Sequence, residues 1–355
     1  MTSEIRSVLI IGSGLIGASM GLALRERGVT VWLDDADPAA LALAVDRGAG
    51  QQAPPLEDPG LVVVAVPPAQ TASVVLGALA AYLNATVSDV SSTKTKVHQE
   101  IQTRGGDITR FVPGHPLAGR EVSGPGAAHA DLFADRVWAL TPTPRTDPER
   151  VVAMSELVSR LGAVPVITSA EAHDRAVALT SHTPQIVASL LASGLEPLAQ
   201  NDVRLSGQGL RDMTRLAASD PDLWTQILSS NAGPVAAALE GLISRLATVR
   251  DGLVSGESDP VRNALAAGVL GQRKVPGKHG SAAVRWSVVA VVVADRPGEL
   301  GRLFADAGAT GVNLEDVRIE HAQGRPTGLV ELEVSPGAAH RLSEGLRTAG
   351  WAVRA

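Results

Sequence analysis

The stretch Val8-Leu9-Ile10-Ile11-Gly12-Ser13-Gly14-Leu15-Ile16-Gly17 decides the fold. Four apolar residues run straight into glycines spaced G-x-G-x-x-G, and a helical pattern of small and apolar residues follows. Between a strand and a helix each glycine has a task. The first permits the tight turn, the second lets backbone approach a pyrophosphate, and the third lets helix and strand pack closely. The helix that opens there presents free N–H groups to phosphates. Asp34 and Asp35 end the next strand pattern. A carboxylate at that place accepts hydrogen bonds from a ribose 2′-OH and repels a 2′-phosphate, which favours NAD over NADP. Asp35 is preferred, because Asp35-Ala36-Asp37-Pro38 reads as strand end and turn. The other acid of the two then reads as a helix cap. The expected cofactor residues are Gly12, Gly14, Leu15, Ile16, Gly17, Asp34 and Asp35, with Val66 at the end of the following strand pattern.

Working outward, β-rich runs over 7–11, 29–33, 61–66, 85–89, 110–113, 136–141 and 164–168 alternate with Ala- and Leu-rich helical patterns. Such alternation predicts a parallel, doubly wound α/β sheet, a Rossmann cofactor domain over 1–168. The texture changes at Ser169. Apolar residues then recur at three and four, as in Ile186, Leu190, Leu191 and Leu195, or Val235, Leu239, Leu242 and Leu246. That period predicts an all-helical domain over 169–270 for substrate and dimerisation, since helices this apolar need a partner surface and a second subunit supplies one. The basic, Gly- and Pro-rich stretch 271–285 reads as a linker. Over 286–355 the order is βαββαβ, with strands predicted at 286–293, 312–318, 328–334 and 351–353, the ferredoxin-like pattern.

Composition narrows the classes. The chain has 355 residues, 45% apolar and 19% charged, enough to build cores and exclude wholesale disorder. Net charge is −6 with no basic cluster of note outside the linker, so no nucleic acid partner is expected. The apolar runs are too short for a membrane span, and the one at 8–11 leads into glycines rather than a cleavage site. With no cysteine, disulfides, thiolate zinc and thiol nucleophiles are excluded, and a cytoplasmic location fits. No metal is expected, because His98, His129, His279, His321 and His340 have no companion ligands at metal spacing and Glu171, His173 and Asp174 read as a charged first helical turn.

Two stretches sit where an open α/β sheet presents ligands, beyond strand ends. In Asp89-Val90-Ser91-Ser92-Thr93-Lys94, Ser91 or Ser92 reads as the cap of a helix over 93–102. In Gly114-His115-Pro116, proline biases His115 to extended backbone, holding its ring at the mouth of the strand over 110–113 as a candidate base. Further on, Arg211 and Arg215 are placed one helical turn apart with Asp212 beside them.

In chain order the motifs GSGLIG, DVSSTK, GHPLAGRE followed by SGP, HDR then SHTPQ, and GLRDMTRLAASDPDLW resemble the prephenate dehydrogenase family, which includes arogenate dehydrogenases. The tail, DRPGELGRL followed by GVNLEDV, resembles an ACT regulatory module. The resemblance implies an NAD-dependent oxidative decarboxylation of prephenate to 4-hydroxyphenylpyruvate, in tyrosine biosynthesis. It implies that His115 polarises the ring hydroxyl and that Ser92 orients it. Arg215 would pair with a substrate carboxylate, Ser181 and His182 would line the pocket, and Asp212 and Trp224 would support it. Gln185 stands where the family often has a second histidine, which keeps hydrogen bonding but removes charge and leaves prephenate against arogenate open. In the tail, Asp295, Gly298 and Asn313 match effector-binding positions, with tyrosine as effector and a homodimer as the assembly. Two other readings compete. One is a β-hydroxyacid dehydrogenase or imine reductase using Lys94, which a substrate panel with 3-hydroxyisobutyrate separates. The other is a non-catalytic sensor of NAD and an amino acid, which turnover separates.

Overall fold

The computed structural model describes residues 5–52, 59–119, 122–275, 286–321 and 326–354. Strand β1 (Ser7–Ile11) leads through the glycine turn into α1 (Leu15–Glu26), and β2 (Thr30–Asp34), α2 (Pro38–Asp46), β3 (Gln51–Gln52), β4 (Leu61–Val64), α3 (Pro68–Ala81), β5 (Thr86–Asp89) and α4 (Thr95–Thr103) follow. The five strands pair in parallel in the order β3-β2-β1-β4-β5, the half-sheet that binds nucleotides in doubly wound folds. Helices cover both faces, so β4 and β5 are buried at every residue. Alternation along β1 sends Val8 and Ile10 to one core with Met20 and Leu24 of α1. Leu9 joins Val62, Val64, Val75 and Ile101 in the other.

A second sheet holds β6 (Gly114–Pro116), β7 (Val137–Leu140) and, after α5 (Pro148–Arg160), β8 (Val164–Ile167). β6 runs antiparallel to β7, while β8 pairs with β7 in parallel, so the parallel order expected throughout is broken at β6 alone among these strands. The strand predicted over 110–113 does not form. Phe111 makes a single bridge to Val87, and Pro113 has no N–H to extend the ladder. The pairing starts at Gly114 instead, so His115 lies within a strand rather than beyond one. Glycine is required at 114, because a Cβ would lie 2.7 Å from Trp138 Nε1 and 3.0 Å from the Asp89 carbonyl.

After β8, Ser169 caps α6 (Ala170–Val177) by accepting from the Ala172 N–H, and among the described residues helices follow without a strand until Ser287. A π-helical turn at Ala178–His182 leads into α7 (Thr183–Ser193), followed by α8 (Gln200–Val203), α9 (Gln208–Thr214), α10 (Pro221–Ser230), α11 (Ala232–Ser255) and α12 (Ser258–Gln272). Asp-Pro pairs start α2, α5 and α10 alike, each aspartate accepting from a first-turn N–H while proline sets the first helical residue. Helices α8, α9 and α12 bury no residue, and Leu246, Leu265 and Leu270 are more than half exposed.

The chain divides into two compact units at 250/251, within α11. The second carries β9 (Ser287–Ala294), α13 (Glu299–Ala309), β10 (Asp316–His321), β11 (Thr327–Val334), α14 (Ala339–Thr348) and β12 (Ala352–Arg354). Its four strands form one antiparallel sheet in the order β10-β11-β9-β12. Val291, Val330 and Leu332 pack against Leu303 of α13 and Leu346 of α14. The strand predicted over 312–318 starts at Asp316, because Gly311 turns at φ +67° and the chain reaches the sheet only after Leu314. The expected linker begins inside α12, and its residues 276–285 lie outside the described residues.

Candidate active site

The glycine loop separates what the protein needs from what a ligand needs. Gly12 turns at φ +103°, and a Cβ there would sit 2.3 Å from the Ala65 carbonyl oxygen with Val66 Cγ1 at 3.2 Å. A Cβ on Gly17 would lie 1.9 Å from the Gly12 carbonyl oxygen. A Cβ on Gly14 meets nothing within 4 Å. Gly12 and Gly17 are therefore demanded by packing, whereas the bare α-carbon of Gly14 keeps open the approach to the α1 N-terminus. Gly14 is the N-cap of α1 with no side chain closing it, so the N–H groups from Leu15 onward are available to a pyrophosphate.

Asp35 is half-buried beside this loop. Its Oδ2 accepts from the Ser13 N–H at 2.5 Å and the Ser13 hydroxyl at 2.7 Å, and its Oδ1 accepts from the Asp37 N–H at 2.8 Å. Burial pushes its pKa up, but the Asp37 and Ser13 hydrogen bonds outweigh that and hold it below the usual carboxylate value. A fixed negative charge stands beside the second glycine. The helix cap is Asp37, not Asp34 or Asp35 as expected, and Asp34 is exposed at the end of β2. The loop, the open helix end and the acid fit a dinucleotide without a 2′-phosphate.

Past β5 the chain builds a buried polar cluster. Lys94 is 0% exposed, and its Nζ donates to Asp89 Oδ2 at 2.5 Å and to the Gly114 carbonyl at 2.6 Å. Burial drives its pKa below the ordinary lysine value, against the pull of Asp89. So enclosed a lysine cannot touch a substrate, which removes the reading in which Lys94 is the catalytic group. The cap predicted at Ser91 or Ser92 is also corrected. Helix α4 begins at Thr95, and its first N–H groups are taken from across the fold by Asp174. Asp174 Oδ1 accepts from Lys94 N at 2.9 Å, and Oδ2 accepts from Thr95 N at 2.8 Å.

Asp174 belongs to α6, with His173 beside it. Both are buried, so they are not the solvated charged turn the sequence implied. His173 Nδ1 lies 2.9 Å from Asp174 Oδ1, and His173 Nε2 lies 2.9 Å from His115 Nδ1. Burial works against the Asp174 charge, but the bonds from His173, Thr95 and Lys94 prevail and place its pKa at about 2. For His115, burial first, then the neighbouring His173, Lys94 and His182, drive the pKa well below the ordinary imidazole value. The ring is neutral at physiological pH.

His182 is held by the π-helical turn, an irregularity often found at functional positions. Asn231, between α10 and α11, donates its amide to the Asp174 carbonyl at 2.8 Å and faces His182 Nδ1 at 3.1 Å. An amide donor there makes Nδ1 the acceptor and leaves the hydrogen on Nε2. Trp224 stands edge-on to the ring, centroids 6.1 Å apart. Gln185 donates to the Leu216 carbonyl at 2.9 Å and so anchors the 3-10 turn Arg215–Ala218, while its Oε1 is buried with no partner among the described residues. Arg215 is exposed at the start of that turn. Arg211 lies in α9, which ends at Thr214, and Arg215 opens the 3-10 turn that follows directly, so the two are not on one continuous α-helix. Asp212 is exposed and accepts from Gln208 at 2.9 Å. Ser92 and Ser181 are half-buried, with no recorded bond to the imidazoles. Arg120 and Glu121 of the GHPLAGRE motif lie outside the described residues.

Of the residues the sequence named, His115, His182 and Trp224 lie in or against this cluster and Gln185 beside the Arg215 turn, whereas His173, Asp174, Asn231 and the structural part of Lys94 were not named for the site. The available signal was the adjacency of His173 and Asp174 at the first turn of a helix whose apolar stripe runs through Ala170 and Val177. Among the described residues no group of three His, Asp or Glu side chains could hold a metal, and no helix is long and apolar enough to cross a membrane.

A parallel nucleotide sheet with an open glycine loop, a 2′-OH acid and a neutral, half-buried imidazole defines a nicotinamide-dependent dehydrogenase. Residues 20–167 match the profile described as prephenate dehydrogenase, nucleotide-binding domain, and residues 169–267 match its dimerization domain. A probable prephenate dehydrogenase NovF of Streptomyces niveus is 38% identical, covering 98% of this chain and 99% of its own. The crystal structure of Aquifex aeolicus prephenate dehydrogenase with hydroxyphenyl propionate and NAD+ superposes with a TM-score of 0.69 at 27% identity, over 78% of this chain and 100% of that one. Synechocystis arogenate dehydrogenase does so with a TM-score of 0.63 at 26% identity, over 75% and 98%. The chain belongs to the prephenate dehydrogenase family and is an NAD-dependent oxidoreductase.

Proposed function

We propose that the chain oxidises prephenate, with loss of CO2, to 4-hydroxyphenylpyruvate. The observation that carries this reading is the neutral imidazole of His115, half-buried on β6 and backed by a second ring. Bound NAD supplies the hydride acceptor. His115 accepts the hydrogen of the ring hydroxyl as hydride leaves the same carbon. Ser92, half-buried in the turn after β5, hydrogen-bonds the same hydroxyl. Arg215 pairs with a substrate carboxylate through its planar fork, and His182, Ser181, Asp212 and Trp224 line or support that side. Aromatisation of the ring drives the decarboxylation, and the phenol oxygen recovers the proton. The protein incubated with NAD and prephenate is expected to produce NADH together with a phenol absorbance, and Arg215→Ala to raise KM far more than it lowers kcat.

One observation favours arogenate as a second substrate. Gln185 places a neutral, buried, unpartnered acceptor oxygen where a charged histidine would repel an ammonium group. The ratio of kcat/KM for the two substrates decides between them.

The remainder of the reading concerns assembly. The cofactor domain is 1–168, the helical domain 169–270 with its exposed leucines forms a homodimer, and 286–355 is an ACT module on which tyrosine acts. Gly298, at φ +89°, opens α13 without a side-chain cap, Asp295 lies just before it, and Asn313 bonds Glu315 at 2.7 Å. Tyrosine is expected to shift the activity of wild type more than that of Gly298→Val. A cytoplasmic location accompanies this reading.

A further inference from the structure

We propose that His173 is the positioning residue behind His115, fixing which nitrogen of His115 carries hydrogen and taking over, through that ring, the proton released by the substrate hydroxyl. The inference rests on the oxidation proposed above and adds a residue to it. Its starting point is Asp174. The carboxylate is ionised, as its low pKa requires, and an ionised carboxylate only accepts. His173 Nδ1, 2.9 Å from Asp174 Oδ1, therefore donates. The other nitrogen of a neutral His173 then carries a lone pair, and it lies 2.9 Å from His115 Nδ1. His115 Nδ1 must donate across that contact, which leaves His115 Nε2 bare as the acceptor the reaction needs.

The surroundings allow no easy alternative. Asp174 is pinned by two N–H groups of the α4 N-terminus, so its oxygens cannot turn away. Lys94 holds the Gly114 carbonyl, and with it the peptide that carries His115. The titratable groups facing His115 are His173 and Asp174 from α6, Lys94 from α4, and His182 from the π-helical turn. Among the described residues only His173 both bonds His115 and bonds a carboxylate.

The proton balance closes. The hydroxyl proton goes to His115 Nε2, and the His115 Nδ1 proton passes to His173 Nε2. His115 is again neutral, and the positive charge rests on His173 beside Asp174. When CO2 leaves, the ring electron pair reaches the oxygen, and the two proton movements reverse to yield the phenol.

The test has two arms. Isotope-edited imidazole NMR of the ligand-free protein is expected to find His115 with its hydrogen on Nδ1. Finding it on Nε2 overturns the proposal, whatever the substrate proves to be. His173→Gln keeps an acceptor for His115 but cannot carry a proton. It is expected to lower kcat about a hundredfold with KM within about twofold of wild type. Wild-type kcat in His173→Gln overturns the relay. Failure of the wild-type protein to oxidise prephenate would instead strike the substrate reading, and the NMR arm would still decide the position of the hydrogen.

Discussion

The glycine loop and the imidazole cluster are built in opposite ways. The loop is contiguous: Gly12 to Gly17 and Asp35 bond one another within one β–α–β passage. The cluster draws Asp89 from β5, Lys94 from the start of α4, His115 from β6, His173 and Asp174 from α6, and Asn231 from beyond α10. A contiguous site tolerates remote change, whereas a distributed one turns every member into a structural residue as well.

Four measurements break or sharpen that contrast. The largest effect is expected from His115→Asn, which should lower kcat about a thousandfold while calorimetry finds the NAD dissociation constant unchanged, since the ring belongs to the cluster and not to the loop. Next, Lys94→Met should cost about 3–5 kcal/mol in a denaturant titration, because Asp89 is left buried without its cation.

Acid should then strike α4 and the cluster before the loop, starting at His98, which lies on α4 one turn after Lys94. Burial first, helped by Lys94, lowers the pKa of His98 to about 4. His98, depressed when folded, contributes stability that is whole above the unfolded value near 6.5. That stability is lost as pH falls towards 4, amounting to about 3 kcal/mol. His115 and His182 are depressed in the same direction. Asp174 and Asp35, held low, lose stability only below the unfolded carboxylate value near 3.9. Denaturant midpoints measured across this range check the order.

The smallest effects separate the glycines. Gly17→Ala should lower stability by about 2 kcal/mol, its methyl driven against the Gly12 carbonyl. Gly14→Ala should leave the melting temperature alone and weaken NAD binding about tenfold. Equal melting of the two variants would erase the distinction drawn between packing and ligand.

The same contrast explains what could be read in advance. Strand β1, the glycine loop and the acid after β2 follow from local pattern, because turn geometry and helix-end chemistry act over neighbouring residues. His115 was named as a candidate for the same reason, through the proline beside it. Asp174 was not, because its partners are the N–H groups of Lys94 and Thr95, 80 and 79 residues away, and no local rule pairs them. The false strand over 110–113 arose from apolar residues that are buried yet make only one bridge, to Val87. Arg211 and Arg215 were placed on one helix by spacing, whereas Arg215 opens a 3-10 turn held by Gln185 from another helix.

The grip of Asp174 on the first turn of α4 has a mechanical side. It bolts α6, and with it the ring of His173, onto the nucleotide-binding framework, so the group behind His115 is anchored to the same floor that carries the dinucleotide.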